Sequence, residues 1–258
     1  PCLFEGIGKS LTLDTIIFRG IETKDEDLVK PNSSLSEILP GHKLRVRTLI
    51  AALLLRSGND AAYTVAVNTA RKHSGDMNMG YKRAVNYFCN LMNEKARALG
   101  CNDTYFVNPE GWDNSYHYST ASDMTKIACA ALNNALITSI ANIHKNRYTF
   151  VSGEPREWIN TNKLLDPESI YYYEYAHGLK TGTTPAAGNC LVAFAEKDGR
   201  KLLICAYGCA TDDDRYARVR DIFTYSFSFL EQQALLEETT TAPPPEEETT
   251  TANPEKGD

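Results

Sequence analysis

The chain has no apolar run near the ~18 residues a membrane-spanning helix needs; the longest candidate, Leu49 to Leu55, is seven residues. It also lacks an excess of basic charge. The formal net charge of the 258 residues is -6, and the last 22, from Glu237 to Asp258, contain seven acidic side chains and one lysine. Residues 1–236 are therefore neutral and present no basic footprint for nucleic acid. The seven cysteines (Cys2, Cys89, Cys101, Cys129, Cys190, Cys205, Cys209) include no C-x-x-C pair and are odd in number. That argues against a zinc ribbon or redox pair and, taken alone, reads as free thiols in a reducing compartment. The five histidines (His42, His73, His117, His144, His177) lack H-E-x-x-H or similar spacing, so neither a metal site nor a cofactor is expected. Pro1 is not preceded by an initiator Met, and no basic-then-apolar leader follows it, which reads as a mature form or a fragment.

What the chain does have is length and apolar content enough for a sizeable core, with 42% hydrophobic residues. One folded domain is expected over 1–236. From Glu237 the composition changes: Glu-Glu-Thr-Thr-Thr-Ala occurs twice, around Pro243, Pro244 and Pro245. Like charges, prolines and the absence of large apolar side chains predict a disordered linker over 237–258. Leu44 to Leu55 reads as a helix, and Asp60 can cap a second from Ala61 to about Lys72. Further helices are expected over Met79–Leu99, closed by Gly100, and over Ser122–Leu136. The period then changes. His177–Thr183, Cys190–Glu196 and Lys201–Gly208 read as strands, the last two joined by a turn at Lys197-Asp198-Gly199-Arg200. Asp212 to Asp214 can cap a long final helix that offers Tyr216, Val219, Ile222, Phe223, Phe229 and Leu230 for burial. The fold class is thus mixed α/β (α+β), an antiparallel sheet flanked by helices.

Two short motifs carry chemistry: Ser57-Gly58-Asn59 between two helices, and Lys180-Thr181-Gly182 on a strand that begins a hairpin. Alone, the first is ordinary turn composition and the second an exposed strand lysine. In this order, they match the later two motifs of penicillin-recognising serine enzymes, which run S-x-x-K, S-D-N, K-T-G. Longer stretches agree. They include Leu-Arg-Val-Arg-Thr-Leu-Ile-Ala-Ala-Leu-Leu-Leu-Arg-Ser-Gly-Asn-Asp-Ala-Ala (44–62), Asn-Pro-Glu-Gly-Trp-Asp (108–113), His-Tyr-Ser-Thr-Ala-Ser-Asp-Met (117–124) and Gly-Leu-Lys-Thr-Gly-Thr-Thr-Pro-Ala-Ala-Gly-Asn (178–189). Over about Pro31 to Leu230 the chain resembles the D-alanyl-D-alanine carboxypeptidases, the low-molecular-mass penicillin-binding proteins, whose middle motif is typically S-G-N.

The resemblance implies the serine β-lactamase/transpeptidase-like fold, with a mostly helical subdomain carrying Ser57 to Asn59. It implies acyl transfer on the D-Ala-D-Ala end of peptidoglycan stem peptides, with loss of the terminal D-alanine and release by water. Lys180 would attract the substrate carboxylate and lower the pKa of a neighbouring lysine base, and the Thr181 and Thr183 hydroxyls would bind the same carboxylate. Gly182 would let the strand approach the substrate, with the Thr183 N–H as an oxyanion donor. Ser57 would relay a proton to the leaving amine, and Asn59 would hold the substrate backbone.

The first motif is missing: no Ser-x-x-Lys occurs in these residues. In the best register Gly6-Ile7-Gly8-Lys9 occupies its place, so Gly6 replaces the nucleophile and Lys9 keeps the base position. Either the site is degenerate, leaving a homologue that binds D-Ala-D-Ala peptides without catalysis, or the N-terminus is truncated or misread. A serine β-lactamase shares the motif order, but it needs a deacylating base, and Glu110 reads as a loop residue. The implied partners are the stem peptide and β-lactam antibiotics. The implied location is extracytoplasmic, in the cell envelope, with a membrane tether beyond the C-terminal linker; this opposes the reading from the thiols.

Overall fold

A computed structural model describes residues 17–21 and 29–241. Short strands β1 (Ile17–Arg19) and β2 (Lys43–Arg45) pair antiparallel and lead into helix α1 (Val46–Leu54). Leu44 thus belongs to the strand before the expected helix. Helices α2 (Asn59–Ser74) and α3 (Tyr81–Ala98) follow, and Gly100 takes the left-handed conformation (φ 76°) just past α3, where a side chain would be strained. Helix α4 (Ala121–Leu132) is capped by the Thr120 hydroxyl, which accepts from Asp123 N–H. It stops before Leu136, because the Asn134 carboxamide accepts from the N–H groups of Leu136 and Ile137 and starts a new helix, α5 (Ala135–Ala141).

The hairpin β3 (Lys145–Thr149) and β4 (Pro155–Ile159) has no counterpart in the sequence reading. Its faces are mostly charged and exposed, with few apolar side chains to mark a period: Trp158 is buried and Tyr148 packs beside it. A 3-10 turn at Lys163–Leu165 precedes the main sheet, β5 (Ala176–Thr184), β6 (Gly188–Lys197) and β7 (Arg200–Cys209), antiparallel in the order β5-β6-β7.

Helix α6 (Asp212–Thr241) covers one face of that sheet and runs five residues past Leu236. Strand alternation divides β6: Leu191, Ala193 and Ala195 join Tyr216, Val219, Phe223 and Phe227 of α6 in one core, while Val192 and Phe194 face Ala128 and Ala141 of α4 and α5. The buried stripe of α6 is therefore 216, 219, 223 and 227. Ile222 and Phe229, expected inside, are about half exposed because they lie off that stripe. A second core surrounds α1, where Leu49, Ile50 and Leu55 meet Ile140, Phe150 and Trp158. Leu54 packs against both this core and the α4–α5 side of the sheet, so the helical region is seated on the strands that carry the Lys180 motif.

Candidate active site

Ser57, Gly58 and Asn59 form the junction between α1 and α2, and three constraints hold it. Ser57 adopts φ 58°, the left-handed region that costs a non-glycine residue on the order of 1 kcal/mol. Gly58 is buried, and a Cβ there would lie 2.1 Å from Ser36 Oγ and 2.7 Å from Asp60 Oδ1, so no side chain fits. Asn59 donates its backbone N–H to Ser34 O at 2.8 Å. Asp60, expected as a helix cap, is instead a strut. Its buried carboxylate accepts from the N–H groups of Ser36 (2.9 Å) and Ile38 (2.8 Å), as well as from Ala61 N–H, fastening the 34–38 segment beneath the motif. Burial raises its pKa, and these backbone donors oppose the rise.

The two motifs, 123 residues apart, meet directly. Lys180 Nζ donates to Ser57 Oγ at 2.6 Å and to Thr181 O at 2.7 Å. Burial, followed by the positive field of Arg215, holds the lysine down to about 8 from its ordinary 10.5. Because the ammonium occupies a lone pair of Ser57 Oγ, the serine proton is directed elsewhere and can be donated to a third group.

Thr181 and Thr183 are less available than the sequence implied. Thr181 is buried and its hydroxyl pairs with that of Thr161 at 2.6 Å, bracing β5 against the 160–162 segment. The Thr183 hydroxyl donates to Asn189 Oδ1 and accepts from Arg215 Nη1 at 3.1 Å. Gly182 is exposed on the strand, where a Cβ would meet only Cys190, at 3.9 Å. Lys9 and Gly6 lie outside the described residues.

Sequence reasoning missed Arg215. Buried near the start of α6 and ion-paired with Asp212, it donates Nη1 to the carbonyls of Gly182 (3.0 Å) and Cys190 (3.1 Å). It thereby fixes β5 to β6 and adds a positive field to the burial that lowers the Lys180 pKa. The signal was available only as an arginine one residue beyond the acidic run at 212–214, which reads as ordinary helix-start patterning.

Glu110 does not approach this pair through any described contact. It accepts a hydrogen bond from Tyr63 OH at 2.9 Å, and burial raises its pKa. His117 accepts at Nδ1 from Val107 N–H, and burial lowers its pKa. His177 lies at the start of the Lys180 strand with its ring against Phe194. The six cysteines among the described residues are free thiols.

Comparison with known proteins gives the same frame. The chain is 30% identical over 197 residues to the D-alanyl-D-alanine carboxypeptidase DacF of Bacillus subtilis, covering 76% of this chain and 46% of that protein. It is 32% identical over 216 residues to a D-alanyl-D-alanine carboxypeptidase of Streptomyces sp. strain K15, covering 81% and 70%. The crystal structure of the Streptomyces K15 DD-transpeptidase superposes with a TM-score of 0.75 at 30% identity, over 86% of this chain and 82% of that one. The chain thus spans about half the length of DacF and most of the Streptomyces protein. Residues 9–209 match the family model for D-alanyl-D-alanine carboxypeptidase, and with the Ser57–Lys180 contact in place the chain belongs to that family of serine peptidases.

Proposed function

We propose that this cleft binds the D-Ala-D-Ala end of peptidoglycan stem peptides and that the protein is a serine carboxypeptidase whose acyl transfer removes the terminal D-alanine, with an acylating serine that no Ser-x-x-Lys of these 258 residues supplies. The observation that carries this reading is the Lys180–Ser57 hydrogen bond, which joins a cation to a hydroxyl proton donor at the mouth of β5. The ammonium recruits the peptide's terminal carboxylate, Gly182 lets the substrate backbone lie against the strand, and the Thr183 N–H faces the developing oxyanion. As the oxygen of the acylating serine bonds to the carbonyl carbon and the carbon–nitrogen bond breaks, the leaving amine takes the Ser57 proton, and Lys180 supplies the replacement to Ser57 Oγ. Asn59, beside Ser57, holds the amide of the acyl portion.

A second reading has its own observation: no serine in the 258 residues precedes a lysine by three positions. A homologue of this kind would bind the same ends without cleaving them. Both readings place the protein in the cell envelope, outside the cytoplasmic membrane, where its substrate and β-lactams are found, with a tether following the acidic tail. No helix of the described residues is long and apolar enough to cross a membrane.

Calorimetric titration with acetyl-D-Ala-D-Ala tests the shared recognition step. Binding that weakens about tenfold in Lys180→Ala, as loss of one charge-assisted contact predicts, supports it; indifference to the substitution refutes it. Release of D-alanine from the same peptide separates the peptidase from the binding homologue.

A further inference from the structure

At the end of β5 remote from Thr184, a groove of about 760 Å³ lies between the C-terminal ends of α4 and α5 and the main sheet. Its floor is apolar: Leu132, Phe194 and Leu203, which flank the small core that α4 and α5 share with the strands. Its sides are polar. Asn133 ends α4 and Asn142 ends α5, and in each the backbone N–H bonds back into its own helix while the carboxamide has no hydrogen-bond partner among the described residues. Two asparagines close by differ: the Asn134 carboxamide caps α5, and that of Asn160 donates to the carbonyls of Ala141 and Ile143. His177, on β5, packs its ring against Phe194 at 5.9 Å, and its ring nitrogens also have no partner among the described residues.

A free carboxamide offers a donor and an acceptor at once, so a pair of them suits neutral amide and hydroxyl groups. Net charge does not decide what enters. Glu196 and Lys201, at the edge of the groove, face each other at 3.7 Å and offset one another. Asn133, Ser139 and Asn142 are exposed, so the groove is open along one side and admits a segment of a longer chain. We propose that this groove binds N-acetylated amino sugars of a glycan strand and holds the polymer at a point separate from the Ser57–Lys180 cleft. Seven residues of β5, on the order of 20 Å at about 3.3 Å per residue, separate His177 from Thr184. The acetamido group of such a sugar exchanges hydrogen bonds with the asparagines, and its methyl and the C–H face of the ring cover Leu132, Phe194 and His177. The Ser139 hydroxyl, which donates to Leu136 O at 2.9 Å, keeps its lone pairs for a sugar hydroxyl. The choice of an amino-sugar strand rests on the peptidoglycan reading above, since such strands carry the stem peptides; the shape and chemistry of the groove stand without it. A strand held here raises the local concentration of peptide ends at the cleft.

The test is calorimetric titration of the chain with chitotetraose, a soluble tetramer of N-acetylglucosamine that has no D-Ala-D-Ala end, and with maltotetraose, which has no acetamido groups. Chitotetraose should bind with a Kd of about 1 mM or tighter, the level of a few neutral hydrogen bonds and one covered ring face, and maltotetraose at least about fivefold more weakly. Asn142→Ala and His177→Ala should each weaken chitotetraose about fivefold, and Ser139→Trp, at an exposed helix position, should fill the groove and abolish binding, all with an unchanged melting temperature. Lys180→Ala should leave chitotetraose binding as it was. No saturable binding up to about 10 mM, equal binding of the two sugars, or binding that survives Ser139→Trp overturns the glycan groove. Acetyl-D-Ala-D-Ala titrated in parallel reads the cleft alone: its failure to bind while chitotetraose binds overturns the D-Ala-D-Ala reading and leaves the groove standing.

Discussion

Lys180 is asked to be a cation for the substrate and a proton donor to Ser57, and its depressed pKa sets the range in which it can be both. Near neutral pH it is charged; above about 8 it loses its proton, and with it the attraction for a carboxylate. Affinity for acetyl-D-Ala-D-Ala should therefore fall as pH rises from 7 to 9.5, with a midpoint near 8, read by calorimetry. Stability should move the other way. The unfolded chain, with an ordinary lysine, binds the proton over about pH 8 to 10.5 while the folded chain does not, so this group's contribution to folding stability rises through that window. Opposite slopes of binding and melting temperature against pH are the signature, and parallel slopes would contradict it. Arg215 is the second residue whose role is electrostatic. Arg215→Met should remove the hydrogen bonds to the carbonyls of β5 and β6 at a cost of about 1.5–3 kcal/mol in denaturant unfolding. It should also shift the binding midpoint upward, because one of the two causes that lower the Lys180 pKa is gone.

At the scale of elements, the α1–α2 junction is held by its neighbours more than by its own conformation. Ser57 sits at positive φ, and the packing of Gly58 on Ser36, the Asn59–Ser34 bond and the Asp60 strut together impose it. Asp60→Ala would leave the N–H groups of Ser36 and Ile38 without their carboxylate. A loss of about 2–4 kcal/mol is expected by chemical denaturation, together with weaker acetyl-D-Ala-D-Ala binding as Ser57 loosens. Asp60→Asn keeps one acceptor and should lose less. The main sheet was legible because Leu191, Ala193 and Ala195 alternate with Val192 and Phe194 and a Lys-Asp-Gly-Arg turn separates the strands. The β3–β4 hairpin was not, since its charged faces and single fully buried strand residue, Trp158, leave too little period to read. The small shift in α6, with Phe227 inside and Phe229 outside, reflects a stripe chosen by the sheet it covers from a helix rich in apolar positions.

Across the whole molecule, the site exists only where the helical region meets the sheet. Neither motif performs chemistry alone: Ser57 needs the ammonium from β5, and Lys180 needs the burial that the helical side provides. The acylating step needs a serine with a lysine three positions on, which these 258 residues do not contain. Incubation of the chain with benzylpenicillin should therefore leave its intact mass unchanged. A stoichiometric mass increase would place a nucleophile within the chain, and the modified peptide would identify it.

The sequence by itself determined the family, the main helices and the strands of the β5–β7 sheet, and the two motifs, because these depend on local periodicity, turn chemistry and residue identity. It also located the net charge in the tail and left the rest of the chain neutral. Only the tertiary structure decided which side chains meet. It gave Arg215 its place behind the Lys180 strand, turned Asp60 from a cap into a strut, engaged the Thr181 and Thr183 hydroxyls within the protein, and tied Glu110 to Tyr63. The physical reason is range. Propensity and pattern act over a few residues, whereas burial, hydrogen-bond partners and electrostatic field are set by groups up to 123 positions apart in the chain.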